Sequence, residues 1–208
     1  MTARNITLAF FSPRKDGEDW VNKLTARASK YPYCHVELYF ETTNQSFSIQ
    51  LGEKAGLRTK TLSSDCYEYV TLSVSLKEYD GMLDFCRKTS QLGLDFDNRG
   101  MWLSYFYLGG ISGGLGGMGC LGGKPCDSKS LGKTTCSKIV CEALQYGGVE
   151  EVEGMNPCNA TPSRLYGRIL HSKRRVIASV PYKRMQMMQK RVVCFNQKVY
   201  FRVNDIET

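Results

Sequence analysis

Apolar and polar positions alternate with a strand period in several short segments and follow a helical period in longer ones. The apolar run Ile6–Phe11 predicts a first strand. Asp16–Ser29 carries apolar residues at helical spacing and predicts a helix capped by its first residue. Tyr33–Phe40, Ser46–Leu51 and Tyr67–Val74 predict three further strands in the first third of the chain.

Further helices follow these strands. Leu76–Leu92 has a helical period and is stopped by Gly93. A second helix begins near Cys136 and stops at Gly147–Gly148. Cys136 lies on the apolar face of this helix, so its thiol is expected to point toward the sheet. A short helix is expected over Ser163–Ile169. The mixture predicts an α+β fold.

The Ser46–Leu51 segment alternates cleanly, with Phe47, Ile49 and Leu51 on one face and Ser48 and Gln50 on the other. If the preceding turn is tight and Thr42 lies opposite Gln45, Glu37 lies opposite Gln50. His35 then shares a face with Gln50 and Ser48. A slip by one residue would reverse this arrangement.

Glycine and charge are both unevenly distributed. Nine of the fifteen residues from 109 to 123 are glycine, which predicts a loop that is either a lid or an insertion without a role. The net charge is +8, and residues 171–208 carry nine Lys/Arg against two acidic residues. We therefore expect one domain over 1–170 and a basic β segment over 171–208 that packs on or extends the sheet.

The composition limits the class of protein. No apolar run reaches the roughly 18 residues that a membrane span needs, and Met1–Phe11 lacks the apolar core of a signal peptide. We therefore expect an intracellular protein that is neither secreted nor membrane-spanning. Nine cysteines without a CxxC pair indicate free thiols, and their spacings match no familiar ligand pattern. No metal or cofactor is predicted.

Two residues have settings that suit thiol catalysis. Cys136 falls in the first turn of a predicted helix, where unpaired N–H groups favour a thiolate. His35 lies on the polar face of a predicted strand, and the chain has only one other histidine, His171. An imidazole near the thiol could act as its base. Taken singly, a core cysteine and a structural histidine are the more frequent interpretations.

The imidazole of such a site needs a third polar group that fixes its tautomer. Gln50 and Ser48 on the following strand are placed for this role, and Glu37, two residues beyond His35 on the same face, competes with them.

The order of these elements resembles the circularly permuted branch of the NlpC-type papain-like fold, which includes bacterial amidase-like, poxviral and, more distantly, lecithin:retinol acyltransferase proteins. The likeness spans about residues 5 to 170. Its stretches are Ile6–Phe11 with the helix behind it, Cys34–Tyr39, Gly93–Asp97, Thr135–Leu144 and Ala160–Tyr166.

The resemblance implies an antiparallel sheet packed against the cysteine-bearing helix. It implies that Cys136 is the nucleophile and His35 the catalytic histidine, with Gln50 preferred to Ser48 as the third residue. Asp97, Thr135 and Ser137, which lie in the matched motifs, are the expected substrate-binding residues. The sequence departs from the family at Cys34 and Glu37, where serine and glycine are frequent.

Three functions are compatible with these features. The first is a cysteine peptidase or amidase that acts on a peptide or amide through a thioester on Cys136. The second is a lipid acyltransferase or thioesterase on the same fold. The third is a catalytically silent scaffold or virion protein, in the host cytoplasm or the virion, whose basic segment binds nucleic acid or an anionic membrane. An ordinary half-buried strand explains that segment equally well.

Overall fold

The first predicted strand forms the middle of a six-stranded sheet. A computed structural model describes residues 3–13, 31–60, 66–98, 101, 132–172 and 176–180, without the side chains of the last range. The predicted helix at Asp16–Ser29, the glycine-rich loop and most of the basic segment lie outside these residues.

The strands of the large sheet are β1 (Ala3–Phe11), β2 (His35–Phe40), β3 (Gln45–Ser48), β4 (Gly56–Thr59), β5 (Tyr67–Ser75) and β8 (Val176–Val180). Every neighbouring pair is antiparallel, and the spatial order is β4-β3-β2-β1-β5-β8. A separate parallel pair joins β6 (Asp95–Phe96) to β7 (Lys133–Thr134).

Three α-helices lie in the described residues, with two short 3-10 helices between the second and the third. The α-helices are α1 (Leu76–Leu92), α2 (Cys136–Gly147) and α3 (Pro162–Leu170). The 3-10 helices are Glu150–Val152 and Pro157–Asn159. The described part of the chain contains no helix long and apolar enough to cross a membrane.

One face of the sheet packs against α1 and α2 and forms the core. Ile6, Leu8 and Phe10 alternate along β1 and are fully buried, as the period of a strand requires. Across the layer, Phe40 meets Tyr79 of α1 edge to face. This arrangement confirms the α+β class and the packing of an antiparallel sheet against the cysteine-bearing helix.

The ends of α1 follow local sequence signals. Ser75 and Glu78 form a reciprocal capping box at its N-terminus, and Gly93 ends it in the left-handed region at φ 59°. Its bounds match the predicted Leu76–Leu92. The helix crosses α2 at Gly147, where an added Cβ would lie 2.5 Å from the Met82 side chain.

The β2–β3 pairing corrects the predicted register. Tyr39 lies opposite Ser46 rather than Ser48, a shift of two residues, because the turn begins earlier than assumed: Phe40, not Thr42, is the residue opposite Gln45. The shift is even, so His35 and Ser48 keep the predicted common face. The strand ends at Ser48, and Leu51, expected on the apolar face, is 58% exposed.

Two edge strands complete the sheet. β4 was not predicted, because Gly56–Thr59 is short and has no clear alternation. β8 pairs with the outer edge of β5 and comes from the segment expected to extend the sheet. The boundary at residue 170 stays a prediction.

Candidate active site

His35 and Cys136 each occupy the first position of a regular element. His35 begins β2 and pairs with Phe11 of β1. Cys136 begins α2, directly after the N-cap Thr135, whose side chain accepts a hydrogen bond from the Lys138 N–H. Because neither residue lies in the middle of its element, both are at the edge of the packed core. The Cys136 residue is 6% exposed and the His35 side chain 14%.

The Cys136 thiol and the His35 imidazole lie close enough that each shifts the pKa of the other. Burial raises the pKa of the Cys136 thiol, but the neighbouring His35 cation and backbone N–H groups of Val36 and Ser137 outweigh it, so this pKa is lowered. Burial lowers the pKa of His35, but the Cys136 thiolate and Glu37 outweigh it and raise the pKa to about 9. Both shifts favour a thiolate–imidazolium pair.

The other side of the imidazole faces two acceptors. Nε2 of His35 lies 3.3 Å from Ser48 Oγ and 3.4 Å from Glu37 Oε1. Ser48 donates its own hydroxyl proton to the carbonyl of Val36 at 2.9 Å, so toward His35 it accepts. Two acceptors beside Nε2 favour a proton on that nitrogen, which leaves Nδ1 as the ring nitrogen available to the thiol.

Glu37 is a buried carboxylate with several donors. It is 2% exposed, and its Oε1 accepts hydrogen bonds from Lys60 at 2.6 Å and from the Tyr67 hydroxyl at 2.8 Å. Its Oε2 accepts one from Ser46 at 2.5 Å. Burial raises the pKa of this carboxyl, but His35, Lys60 and Ser46 together hold the pKa well below its usual range. Glu37 is therefore an anion beside the imidazole.

The preferred third residue, Gln50, lies just beyond the end of β3, which stops at Ser48. No hydrogen bond joins its side chain to His35 among the described contacts, whereas the alternatives Ser48 and Glu37 lie 3.3 and 3.4 Å from Nε2 of the ring. Which of the three residues fixes the tautomer of the imidazole stays a prediction.

The three expected substrate-binding residues all lie around the start of α2. Asp97 donates its backbone N–H to the Thr134 carbonyl at 2.7 Å, which places it beside the helix N-terminus. Thr135 is the helix cap. The Ser137 side chain is 3% exposed and donates to the Ala160 carbonyl at 2.6 Å, so it fixes the loop before α3 rather than facing a substrate.

Sequence reasoning missed Lys60 and Tyr67. Lys60 follows β4, an unpredicted strand, and Tyr67 begins β5 on the far side of β1 from Glu37. No local pattern links these residues to His35, since the order of strands in the sheet brings them together. The one signal for this cluster in the sequence was Glu37, an acidic residue on the same polar face as His35 and two positions after it.

Two other described cysteines, both buried, have pKa values shifted in the opposite direction. Burial raises the pKa of Cys86 well above its ordinary value, and burial with the charge of Glu142 raises that of Cys141 to about 12. Cys34, Cys66 and Cys158 are partly exposed. Among the described residues, no group of three or more His, Cys, Asp or Glu side chains could hold a metal ion.

The arrangement is a cysteine–histidine pair with an acidic residue behind the imidazole. No model of a known protein family matches the chain, and neither a curated protein nor a solved structure matches it. The site therefore has to be interpreted from its own geometry and chemistry.

Proposed function

We propose that this chain is a cysteine hydrolase, a peptidase or amidase, that forms a thioester on Cys136 with His35 as its general acid and base. The observation that carries the proposal is the position of Cys136 in the first turn of α2 beside His35. Nε2 of His35 lies 3.3 Å from Ser48 Oγ and 3.4 Å from Glu37 Oε1, and the opposite pKa shifts of the thiol and the imidazole support the pairing. A structural cysteine in a core has no need of a charged histidine beside it.

The permuted papain-like arrangement is part of the same proposal. The histidine strand precedes the cysteine helix in the chain, and the thiol lies at the helix N-terminus against the start of that strand. These features support the arrangement.

The reaction would proceed in two steps. The Cys136 thiolate attacks the carbonyl carbon of the scissile amide, and the electron pair of the C=O bond moves to oxygen. His35 then gives its Nδ1 proton to the leaving amine as the C–N bond breaks, leaving an acyl-thioester. Water attacks the thioester, His35 accepts its proton, and the acid leaves as the thiolate returns.

The oxyanion of each tetrahedral intermediate would need donors beside the sulfur. The first amides of α2 lack partners within the helix, and that of Cys136 itself would be a candidate donor because it belongs to the attacking residue. One such donor is typically worth about 3–4 kcal/mol in the transition state. The N-terminal end of α2 therefore supports both the thiolate and the oxyanion.

The first test compares alkylation by iodoacetamide, mapped cysteine by cysteine, between pH 5 and 10. We expect Cys136 to react well below pH 8, whereas buried Cys141 and Cys86 stay inert. In His35→Ala the rate at pH 7 should fall by about 10- to 100-fold, because an unassisted thiol is only a few per cent ionised there. His171→Ala, an exposed histidine, is the matched control. If Cys136 reacts like the partly exposed Cys158, the proposal fails.

The second test asks whether an acyl group is transferred to Cys136. Native protein is incubated with a panel of activated amides, esters and thioesters, quenched in acid and analysed by intact mass. An acyl adduct absent from Cys136→Ala would support a hydrolase, and preference for long-chain esters would favour the lipid acyltransferase or thioesterase alternative. An activated thiolate that never carries an acyl group would favour the scaffold.

A further inference from the structure

Lys60 is the cation nearest to the catalytic histidine among the described contacts of Glu37. It follows the last residue of β4, and its side chain is about one third exposed. Its Nζ lies 2.6 Å from Glu37 Oε1 and 5.9 Å from the centre of the Tyr67 ring. Its position is thus fixed by a carboxylate and an aromatic face together.

Three donors share a single carboxylate oxygen. Glu37 Oε1 is 2.6 Å from Lys60, 2.8 Å from the Tyr67 hydroxyl and 3.4 Å from His35 Nε2. The contact with His35 is the longest of the three and lies beyond the usual range for an N–H···O⁻ hydrogen bond. Lys60 and Tyr67 therefore hold the oxygen more closely than the imidazole does.

We propose that Lys60 is a positioning residue of this site: by binding the oxygen that faces His35, it limits how strongly Glu37 favours the protonated imidazole. The benefit of this contact rests on the proposed function, because His35 as a general acid has to give up its proton to the leaving group. A histidine paired with an unshared buried carboxylate would hold that proton too tightly.

Apart from His35, whose ring also faces Cys136 of α2, no other described group around Glu37 brings a positive charge to this carboxylate. The titratable and polar groups that face the carboxylate are His35 of β2, Ser46 of β3, Lys60 after β4, and Tyr67 and Tyr69 of β5. The neighbour on β1 is Ala9. Burial and the charge of Glu37 raise the pKa of Tyr69 to about 12 and that of Tyr67 further, so both phenols stay neutral.

The size of the effect follows from the shared oxygen. Lys60 Nζ and His35 Nε2 are both measured from Oε1, so they are separated by at most the two distances combined, about 6 Å. Removing a unit charge at that separation should raise the pKa of His35 by about 0.5 to 2 units for effective dielectric constants between about 80 and 20.

The experiment is a histidine titration by NMR, which needs no substrate. The chain has two histidines, so the ring C–H signals of His35 and the exposed His171 are separable, and His171 is an internal reference. Lys60→Met removes the charge, Lys60→Gln removes it but keeps a donor, and Lys60→Arg should restore the native value. Lys77→Met, on the exposed side of α1, is the matched control.

We expect the midpoint of His35 to rise in both neutral variants while that of His171 stays constant. Lys60→Gln keeps the test available if Lys60→Met does not fold, as checked by circular dichroism. An unchanged or lowered His35 midpoint in a folded neutral variant overturns the role of Lys60. The NMR result does not depend on catalytic turnover. A catalytically inactive protein that shows the expected shift of the His35 pKa would therefore refute the proposed hydrolase function and leave the inference about Lys60 intact.

Discussion

Glu37 offers the sharpest test of how the candidate site works. Glu37→Gln keeps the shape of the side chain but removes its charge and turns one acceptor into a donor. The new NH2 group would face either Ser46 or the position shared by Lys60 and Tyr67, and all three of these residues donate to the carboxylate. The imidazolium then loses its counter-charge, and the thiolate of Cys136 loses part of its stabilisation in turn.

The magnitude follows from the 3.4 Å between Glu37 Oε1 and His35 Nε2. At that distance two unit charges interact with about 1 kcal/mol in a water-like medium and about 5 kcal/mol at an effective dielectric constant of 20. The neighbouring Lys60 offsets part of this attraction, so we expect the lower end of the range. One kcal/mol or slightly more corresponds to about one pKa unit.

The assay is the pH dependence of Cys136 alkylation. We expect its midpoint to move up by about one unit in Glu37→Gln, because a less basic imidazole ionises the thiol less readily. Glu53→Gln, a carboxylate that is 45% exposed and paired with Arg58, is the control and should leave the midpoint in place. An unchanged midpoint in a folded Glu37→Gln protein would show that the acidic residue is not coupled to the pair.

Two further predictions concern stability. Gly147→Ala should lower the free energy of unfolding by about 1–3 kcal/mol in urea titration, because its Cβ would meet Met82 Cγ at 2.5 Å and the Glu78 carbonyl at 2.8 Å. Gly56→Ala, which meets Arg58 at 3.4 Å, should cost much less, and equal losses would contradict the close helix crossing. The depressed pKa of Glu37 stabilises the folded state above about pH 4.5, and this contribution is lost as the pH falls further toward the folded-state pKa. The free energy of unfolding of Glu37→Gln should therefore fall less steeply than that of the native protein as the pH is lowered. An identical pH dependence would contradict the burial of a charged carboxylate.

Much of the secondary structure could be predicted because its signals are local. The capping residues Ser75 and Gly93 delimit α1, and alternation along β1 identifies its buried face. The same applies to Cys136, since a cysteine directly after a capping threonine is recognisable as a first-turn residue. Elements without such signals, such as β4, were missed.

The register between β2 and β3 shows where local reasoning ends. The alternation fixed which residues share a face, so His35 and Ser48 were correctly grouped. It did not fix how far β3 extends, because hydrogen bonding to β2 stops where the chain turns toward β4. The preference for Gln50 over Ser48 therefore stays a prediction.

By itself, the sequence determined the elements, their buried faces and the two residues whose chemistry suggests a site. The tertiary structure alone decided that Cys136 and His35 meet, and that Lys60 and Tyr67 converge on Glu37. The physical reason is that these contacts join strands and helices far apart in the chain. Their distances depend on strand order and helix packing, and no local period encodes either one.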